Sequence, residues 1–321
     1  MLGLTPRFPS LGAGGGYESY YVRAVDPRRP RGIWLRHTVH CAPGEAPVGS
    51  VWVTAFGVGD DGGPLAHKAS SCSPAVEGGK LRIGDSAFGP DGVEGAAGPA
   101  EWELSWSGGQ APLRHLPAEW LYRAPLPKTK LESPRPAVSV RGRVTVGTTT
   151  VELDGWPGMV GHNWGTQHAE RWIWLHGVAF EDRPHDWLDL ALGRVRVGPA
   201  TTPWVVNGVI SLDGERIRVG GLAARPRVDE GPLHLDLRLV GRAARLRLTA
   251  HSPSEQTVVW RYADPDGSEH HVANCSVAEL EAVVQRRGEP PITLRTAHGA
   301  TFELGMRERP DNLHIQPFTD P

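Results

Sequence analysis

The chain has 321 residues, 39% of them hydrophobic and 22% charged, with a formal net charge of -2. That length carries about two domains, and the balance excludes wholesale disorder. Arginines scattered among acids at near-neutral charge exclude the basic footprint of a nucleic-acid binder.

Met1 to Gly16 is broken by Pro6, Pro9 and a glycine run, and lacks the apolar core of an export signal. Gly12 to Gly16 reads as a flexible leader, because no strand precedes it and no helix follows, as a phosphate loop requires. From Tyr17 onward, 40 Gly and 29 Pro punctuate short segments in which apolar and polar residues alternate. That alternation is the signature of half-buried strands. It predicts strands at 32–40, 50–56, 138–146, 171–178, 233–240 and 244–249. Ser276 to Arg286 suits either a helix face or a strand face and is read as strand. Asp-Gly and Pro-Asp pairs at 60–63, 89–92, 213–214 and 264–267 supply hairpin turns.

A Pro-rich passage from Leu116 to Pro136 divides two strand-rich halves and reads as a linker, giving domains 1–132 and 133–321. Closing each sheet into a barrel removes its edges and creates an interior; two β-sandwiches are the alternative. Cys41, Cys72 and Cys275 show neither a disulfide framework nor a zinc spacing. No apolar run approaches the ~20 residues that span a bilayer. A reducing, cytoplasmic location is expected, with oligomeric state undetermined.

The 12 Trp are the unusual element of the composition. Singly they read as core plugs; together they suit an apolar pocket. The densest constellation runs from Gly158 to Gly177. In a strand beginning at Arg171, Trp172, Trp174 and His176 share one face, and the preceding Gly-flanked loop brings His162, Asn163 and His168 over a barrel mouth. The alternative is that His162 and Asn163 tie down a turn. His162, His168 and His176 lack the i, i+4 spacing of a helical zinc site, so no metal is expected. A second cluster opens the first strand, where Glu18, Tyr20 and Arg36 form either an ion-paired patch or, if buried, a proton-donating site. No nucleophile elbow or activated cysteine is present.

The run Tyr17 to Arg23 through Trp34-Leu-Arg36, followed by Gly161-His-Asn-Trp-Gly165 and Trp172-Ile-Trp174, resembles the two-domain lipocalin-like (calycin) superfamily. That group includes carotenoid 1,2-hydratase (hydroxyneurosporene synthase), AttH-like proteins and lipocalin-like Diels-Alderases; tocopherol cyclase shows a similar Trp-Gly and Trp-x-Trp pattern. The resemblance implies an all-β chain of two tandem lipocalin-like antiparallel β-barrels with a pocket in or between them. It also implies cofactor-free hydration or cyclisation of isoprenoid or polyketide-derived substrates. The matching positions are His162, Asn163, Trp164, Trp172 and Trp174, and the family's proton donor is not carried onto any residue.

The expectation is therefore a cofactor-independent hydratase or cyclase acting on a hydrophobic unsaturated small molecule by acid catalysis, with His162, His168 and Glu18 as catalytic candidates. Tyr20, Trp34, Arg36, Asn163, Trp164, Trp172, Trp174 and His176 are the ligand-binding candidates. A non-catalytic carrier of a hydrophobic metabolite is the alternative, and a purely structural protein a third reading.

Overall fold

The computed structural model describes residues 5–8, 14–108 and 110–318; Gly12 and Ala13 of the expected leader lie outside them. The first sheet holds β1 (Gly16–Val25), β2 (Gly32–Cys41), β3 (Val48–Phe56), β4 (Leu65–Ser71), β5 (Pro74–Glu77) and β6 (Lys80–Ile83). It continues with β7 (Ser86–Phe88), β8 (Gly92–Ala97), β9 (Ala100–Ser107), β10 (Leu113–Arg114), β11 (Thr129–Val146) and β12 (Thr149–Gly165). The second sheet holds β13 (Arg171–Gly177), β14 (Trp187–Arg194), β17 (Val205–Leu212), β18 (Glu215–Gly220) and β19 (Arg227–Gly231). It is completed by β20 (His234–Val240), β21 (Ala244–His251), β22 (Val258–Ala263), β23 (Glu269–Arg286) and β24 (Ile292–Met306). A hairpin of β15 (Arg196–Val197) and β16 (Ala200–Thr201) stands apart.

Every pairing within the sheets is antiparallel, and each sheet pairs its first strand with its last, β1 with β12 and β13 with β24. The outermost strands, β4 and β5 in one sheet and β18 and β19 in the other, follow each other in sequence. Each sheet thus curls round until its edges come together, giving two nearly closed antiparallel barrels in tandem. Closure suits strands this twisted because it removes exposed edges. The stretch 276–286 is strand, as read, within β23.

The chain passes between barrels at 166–170, whereas the expected boundary at 132/133 falls inside β11. Proline is the physical reason: Pro134 and Pro136 read as linker punctuation but sit where the register of β11 against β12 shifts, at irregularities that need no ladder donor there.

The strand β1 is buried along its whole length. Tyr20, Val22 and Ala24 face the interior of the first barrel with Ile33, Leu35 and Val53. Tyr21 and Val25 face the other way, packing with Trp34, Trp52 and Phe56 into the core of the second barrel's sheet. Trp52 meets Trp260 edge-on at 5.1 Å, and Trp34 approaches Trp260 to 6.2 Å. Each buried Trp removes roughly 150–250 Å² from water, worth about 4–6 kcal/mol.

Arg23 crosses this interface fully buried. Its guanidinium donates to Ser276 O at 2.9 Å, to Gly299 O at 3.2 Å and to His176 Nδ1 at 3.2 Å. Burial pulls its pKa down to about 9, so it is still charged at neutral pH. Desolvating a cation costs several kcal/mol, which its hydrogen bonds largely offset. Apolar burial by the three tryptophans therefore supplies the adhesion, and Arg23 fixes the alignment.

His176 accepts from Arg23 at Nδ1 and donates from Nε2 to Pro136 O at 3.0 Å, so its ring is neutral. Burial, reinforced by Arg23, brings its pKa to about 4. Burial alone takes His37, inside the first barrel, to about 3, and burial with the neighbouring His168 takes His270 to about 3. Each binds a proton in the unfolded chain near the ordinary histidine value of 6.5 but not in the folded one. The unfolded state then holds more protons, so stability is complete above that value and is lost as pH falls toward the folded pKa values. Three such groups give a slope approaching about 4 kcal/mol per pH unit near pH 5. Urea unfolding across this range should show it, and His37→Phe should reduce the slope by about one third.

Candidate functional site

Between the barrels lies a cavity of about 550 Å³. Its walls come from the outward faces of β12 to β14 and from the segment 115–127. The second sheet contributes Trp172, Trp174, Ala191 and Gly193, which register aligns: Trp174 stands opposite Ala191 and Trp172 opposite Gly193. Leu121, Pro125 and Leu126 form the cover, with the largely exposed Trp120 at its rim.

The Pro-rich passage is a cover here, and Lys130 holds it in place. Its ammonium donates to the carbonyls of Leu121 (2.7 Å), Ala124 (2.9 Å) and Pro127 (2.5 Å). Tyr122 adds a bond from its hydroxyl to Leu131 O at 2.7 Å.

A small annex of about 50 Å³ shares Asn163, His168, Trp172 and Trp174 with the cavity and adds Tyr21, Trp34, Arg36, Tyr262 and Glu303. Two glycines make room for its aromatic rings. A Cβ at Gly161 would lie 2.1 Å from the Tyr21 ring, and one at Gly305 would lie 2.2 Å from the Trp172 indole. Glu303 accepts from Trp172 Nε1 at 2.9 Å and from Asn274 Nδ2 at 3.1 Å. The Arg36 guanidinium lies 3.9 Å from the Tyr262 ring centroid, a cation-π contact.

His168, in the loop between barrels, stacks on Tyr17 at 4.0 Å and on Trp172 at 5.3 Å. Its Nδ1 and its backbone N–H each lie 2.7 Å from Asp264 Oδ1. Although burial raises the pKa of Asp264, hydrogen bonds and charge from His168 bring it down to about 2. Asp264 is therefore a carboxylate, which only accepts, and the His168 proton sits on Nδ1. Nε2 is left without a hydrogen-bond partner, as are Asn163 Oδ1 and His115 Nδ1 in the same cavity wall. Buried polar atoms rarely go unpaired.

The other predicted residues lie elsewhere. Glu18, Tyr20 and His162 meet, fully buried, inside the first barrel and line neither the cavity nor its annex. His162 bridges Glu18 (Nε2 to Oε1, 2.8 Å) and Glu132 (Nδ1 to Oε1, 3.2 Å), between Tyr20 at 4.2 Å and Trp164 at 4.5 Å. The backbone N–H groups of Arg7 and Phe8 close over this cluster, each 2.7 Å from Glu18 Oε2. His162, Asn163 and Trp164 belong to β12 and not to a loop, so alternation sends His162 and Trp164 inward and Asn163 to the cavity. Arg36 pairs with Tyr21, on the opposite face from Glu18 and Tyr20, and does not join their patch. His176 is spent on Arg23.

Sequence reasoning missed His115, Asp189 and Asp264. Asp189 and Asp264 stand far along the chain from the histidines they hold, and His115 lies just before a passage read as linker.

One group of possible metal ligands occurs among the described residues: His168, Asp264 and His270 place one ligand atom each within 4.8 Å of one another. Asp264 already accepts from His168 and from Ser268 Oγ at 3.2 Å, and Arg307 stands 3.6 Å from its Oδ2. That guanidinium occupies the electrostatic place of a cation, so the cluster reads as a hydrogen-bonded brace. A hollow of about 610 Å³ on the outside of the first barrel is lined by mutually paired charges, including Lys80 with Glu94 and Arg143 with Glu103. Its lining is half polar, where a small organic ligand is held by a mostly apolar one.

No protein-family model matches the chain. Its all-β, nearly closed barrel fold is shared by two solved structures. An AttH-like protein from Nitrosomonas europaea superposes with a TM-score of 0.57 at 12% identity, covering 91% of this chain and 93% of that one. Kievitone hydratase from Nectria haematococca gives 0.52 at 9% identity, covering 92% and 89%. In sequence the chain is similar to an uncharacterized protein of Mycobacterium tuberculosis, 29% identical over 309 residues, covering 92% of this chain and 88% of that protein. No helix of the described residues is long and apolar enough to cross a membrane.

Gly193 tests the cavity directly. A Cβ there meets only Ala169 Cβ at 4.0 Å, so Gly193→Trp places an indole in the cavity without disturbing the barrels. It should weaken binding of anilinonaphthalene sulfonate, followed by probe fluorescence, at least about tenfold, with the thermal midpoint nearly unchanged.

Proposed function

We propose that this protein is a cofactor-independent hydratase that adds water to a hydrophobic, unsaturated small molecule of isoprenoid or polyketide type in the cavity between its barrels. The observation that carries this reading is the presence, in one apolar wall, of unpartnered polar atoms that include the free nitrogen of an aspartate-held histidine. A purely storing pocket has no need of a braced imidazole, whereas an oriented imidazole suits proton transfer. The fold shared with kievitone hydratase supports the choice of reaction.

In the proposed reaction His168, as imidazolium, delivers its Nε2 proton to one carbon of the double bond. Asp264 holds the ring and stabilises its positive charge. The electron pair of the double bond becomes the new C–H bond, and the neighbouring carbon develops positive charge, which the faces of Trp172 and Trp174 stabilise. Water then bonds to that carbon and loses a proton. Where an internal double bond replaces water as the nucleophile, the same acid closes a ring. The reaction is assigned to the cytoplasm.

His168→Asn keeps a donor for Asp264 but cannot carry a proton. Purified protein incubated with a host metabolite extract and followed by mass spectrometry should form products heavier by one water. The variant should retain the ligand but turn it over at least about 100-fold more slowly. Retention without conversion by the wild type would sink the enzymatic reading and leave a carrier.

A further inference from the structure

His168 is not alone in the cavity wall. His115, at the start of the cover, also lines it. Its Nε2 lies 3.1 Å from Ser133 Oγ and 3.4 Å from Asp189 Oδ2, and Ser133 Oγ donates to Asp189 Oδ2 at 2.5 Å. Trp174 Nε1 donates to the other oxygen of Asp189 at 3.2 Å. All three members of this chain are buried.

Although burial raises the pKa of Asp189, its interactions with His115, His176 and Ser133 hold it below its ordinary value. An ionised carboxylate only accepts, so the Ser133 hydroxyl hydrogen points at it and Ser133 Oγ in turn accepts from His115 Nε2–H. The lone pair of His115 is left on Nδ1, which has no hydrogen-bond partner.

We propose that His115 is a second proton-transfer residue of the cavity, paired with His168 across the bound substrate. This rests on the hydratase reading above. His168 is held at Nδ1 by Asp264 and His115 at Nε2 by Ser133 with Asp189 behind it, each has its other nitrogen buried without a partner, and both aspartates come from the second barrel's half of the chain. Adding water needs a group that gives a proton to carbon and one that takes a proton from water. His168 gives its proton to one carbon as the double-bond electrons form the C–H bond. Water oxygen bonds to the other carbon, and the proton it loses passes to His115 Nδ1. After product leaves, His115 gives up that proton and His168 regains one by exchange with solvent, so the balance closes with substrate and water alone.

The alternative is that His115 only pins the cover to the barrel. Two measurements separate these. In protein carrying isotope-labelled histidine, long-range proton-nitrogen NMR near neutral pH should show His115 protonated on Nε2 and bare on Nδ1. Anilinonaphthalene sulfonate bound in the cavity should shift that Nδ1 together with Nε2 of His168. His115→Gln keeps a donor toward Ser133 but carries no transferable proton. On a substrate found in the metabolite extract its kcat should fall at least about 100-fold, with probe affinity and unfolding midpoint near wild type. It should lose one limb of the pH–rate profile, and His168→Asn the other. Both limbs surviving in His115→Gln, or a probe that moves His168 and leaves His115 still, would overturn the role. A wild type that binds the probe and hydrates nothing overturns the hydratase reading, and this role with it; a wild type that hydrates while His115→Gln keeps its rate overturns His115 alone.

Discussion

A strand buried on both faces has to carry two chemistries at alternating positions, and β1 imposes that condition on the rest of the molecule. Because successive side chains point to opposite sides, its even-numbered residues fill the first barrel and its odd-numbered ones meet the second. The same parity extends through hydrogen-bonded register to β2 and β12. It places Trp34 and Arg36 on the interface side and Leu35 and His37 inside. A slip of one residue would exchange the two sets everywhere, putting Arg23 into an apolar barrel and the indoles away from their partners. Arg23, with hydrogen bonds to fixed carbonyls across the interface, excludes that slip.

Much of this was legible. Alternation in segments such as Ser50 to Phe56 and Val138 to Val146 marks strands because each has one face in a core, and the turn pairs mark where they reverse. The tryptophans, odd in composition, serve several ends: Trp34, Trp52 and Trp260 join the barrels, Trp102, Trp106 and Trp156 fill the first one, and Trp172 and Trp174 share one face at the cavity. His168 was named from its neighbourhood and lies at the cavity.

What the sequence hid has physical causes. Parity across a hairpin depends on the number of residues in the turn, so Glu18 and Arg36 looked like partners although register separates them. Asp264 is 96 residues from the imidazole it braces, and no local pattern can report a contact made by barrel closure. Proline is normally excluded from strand interiors, yet β11 admits it at irregular positions, which moved the apparent boundary. Glu18 and His162 enter as catalytic candidates from two separate motifs, the first strand and the Gly158 to Gly177 constellation; the structure unites them under the backbone of residues 7 and 8, away from the cavity.

The first barrel's interior is occupied by its own side chains, so the cavity is built from outer faces and a cover. The residues that make the barrels stable and those that meet a ligand are therefore largely different sets, joined mainly at β1 and β12. Changes to Ala191, Leu126 or Trp120 reshape the space for a ligand while leaving the interior packing of either barrel intact. Such a scaffold can diversify its chemistry at little risk to folding, with novelty confined to a seam that has no counterpart in a single barrel.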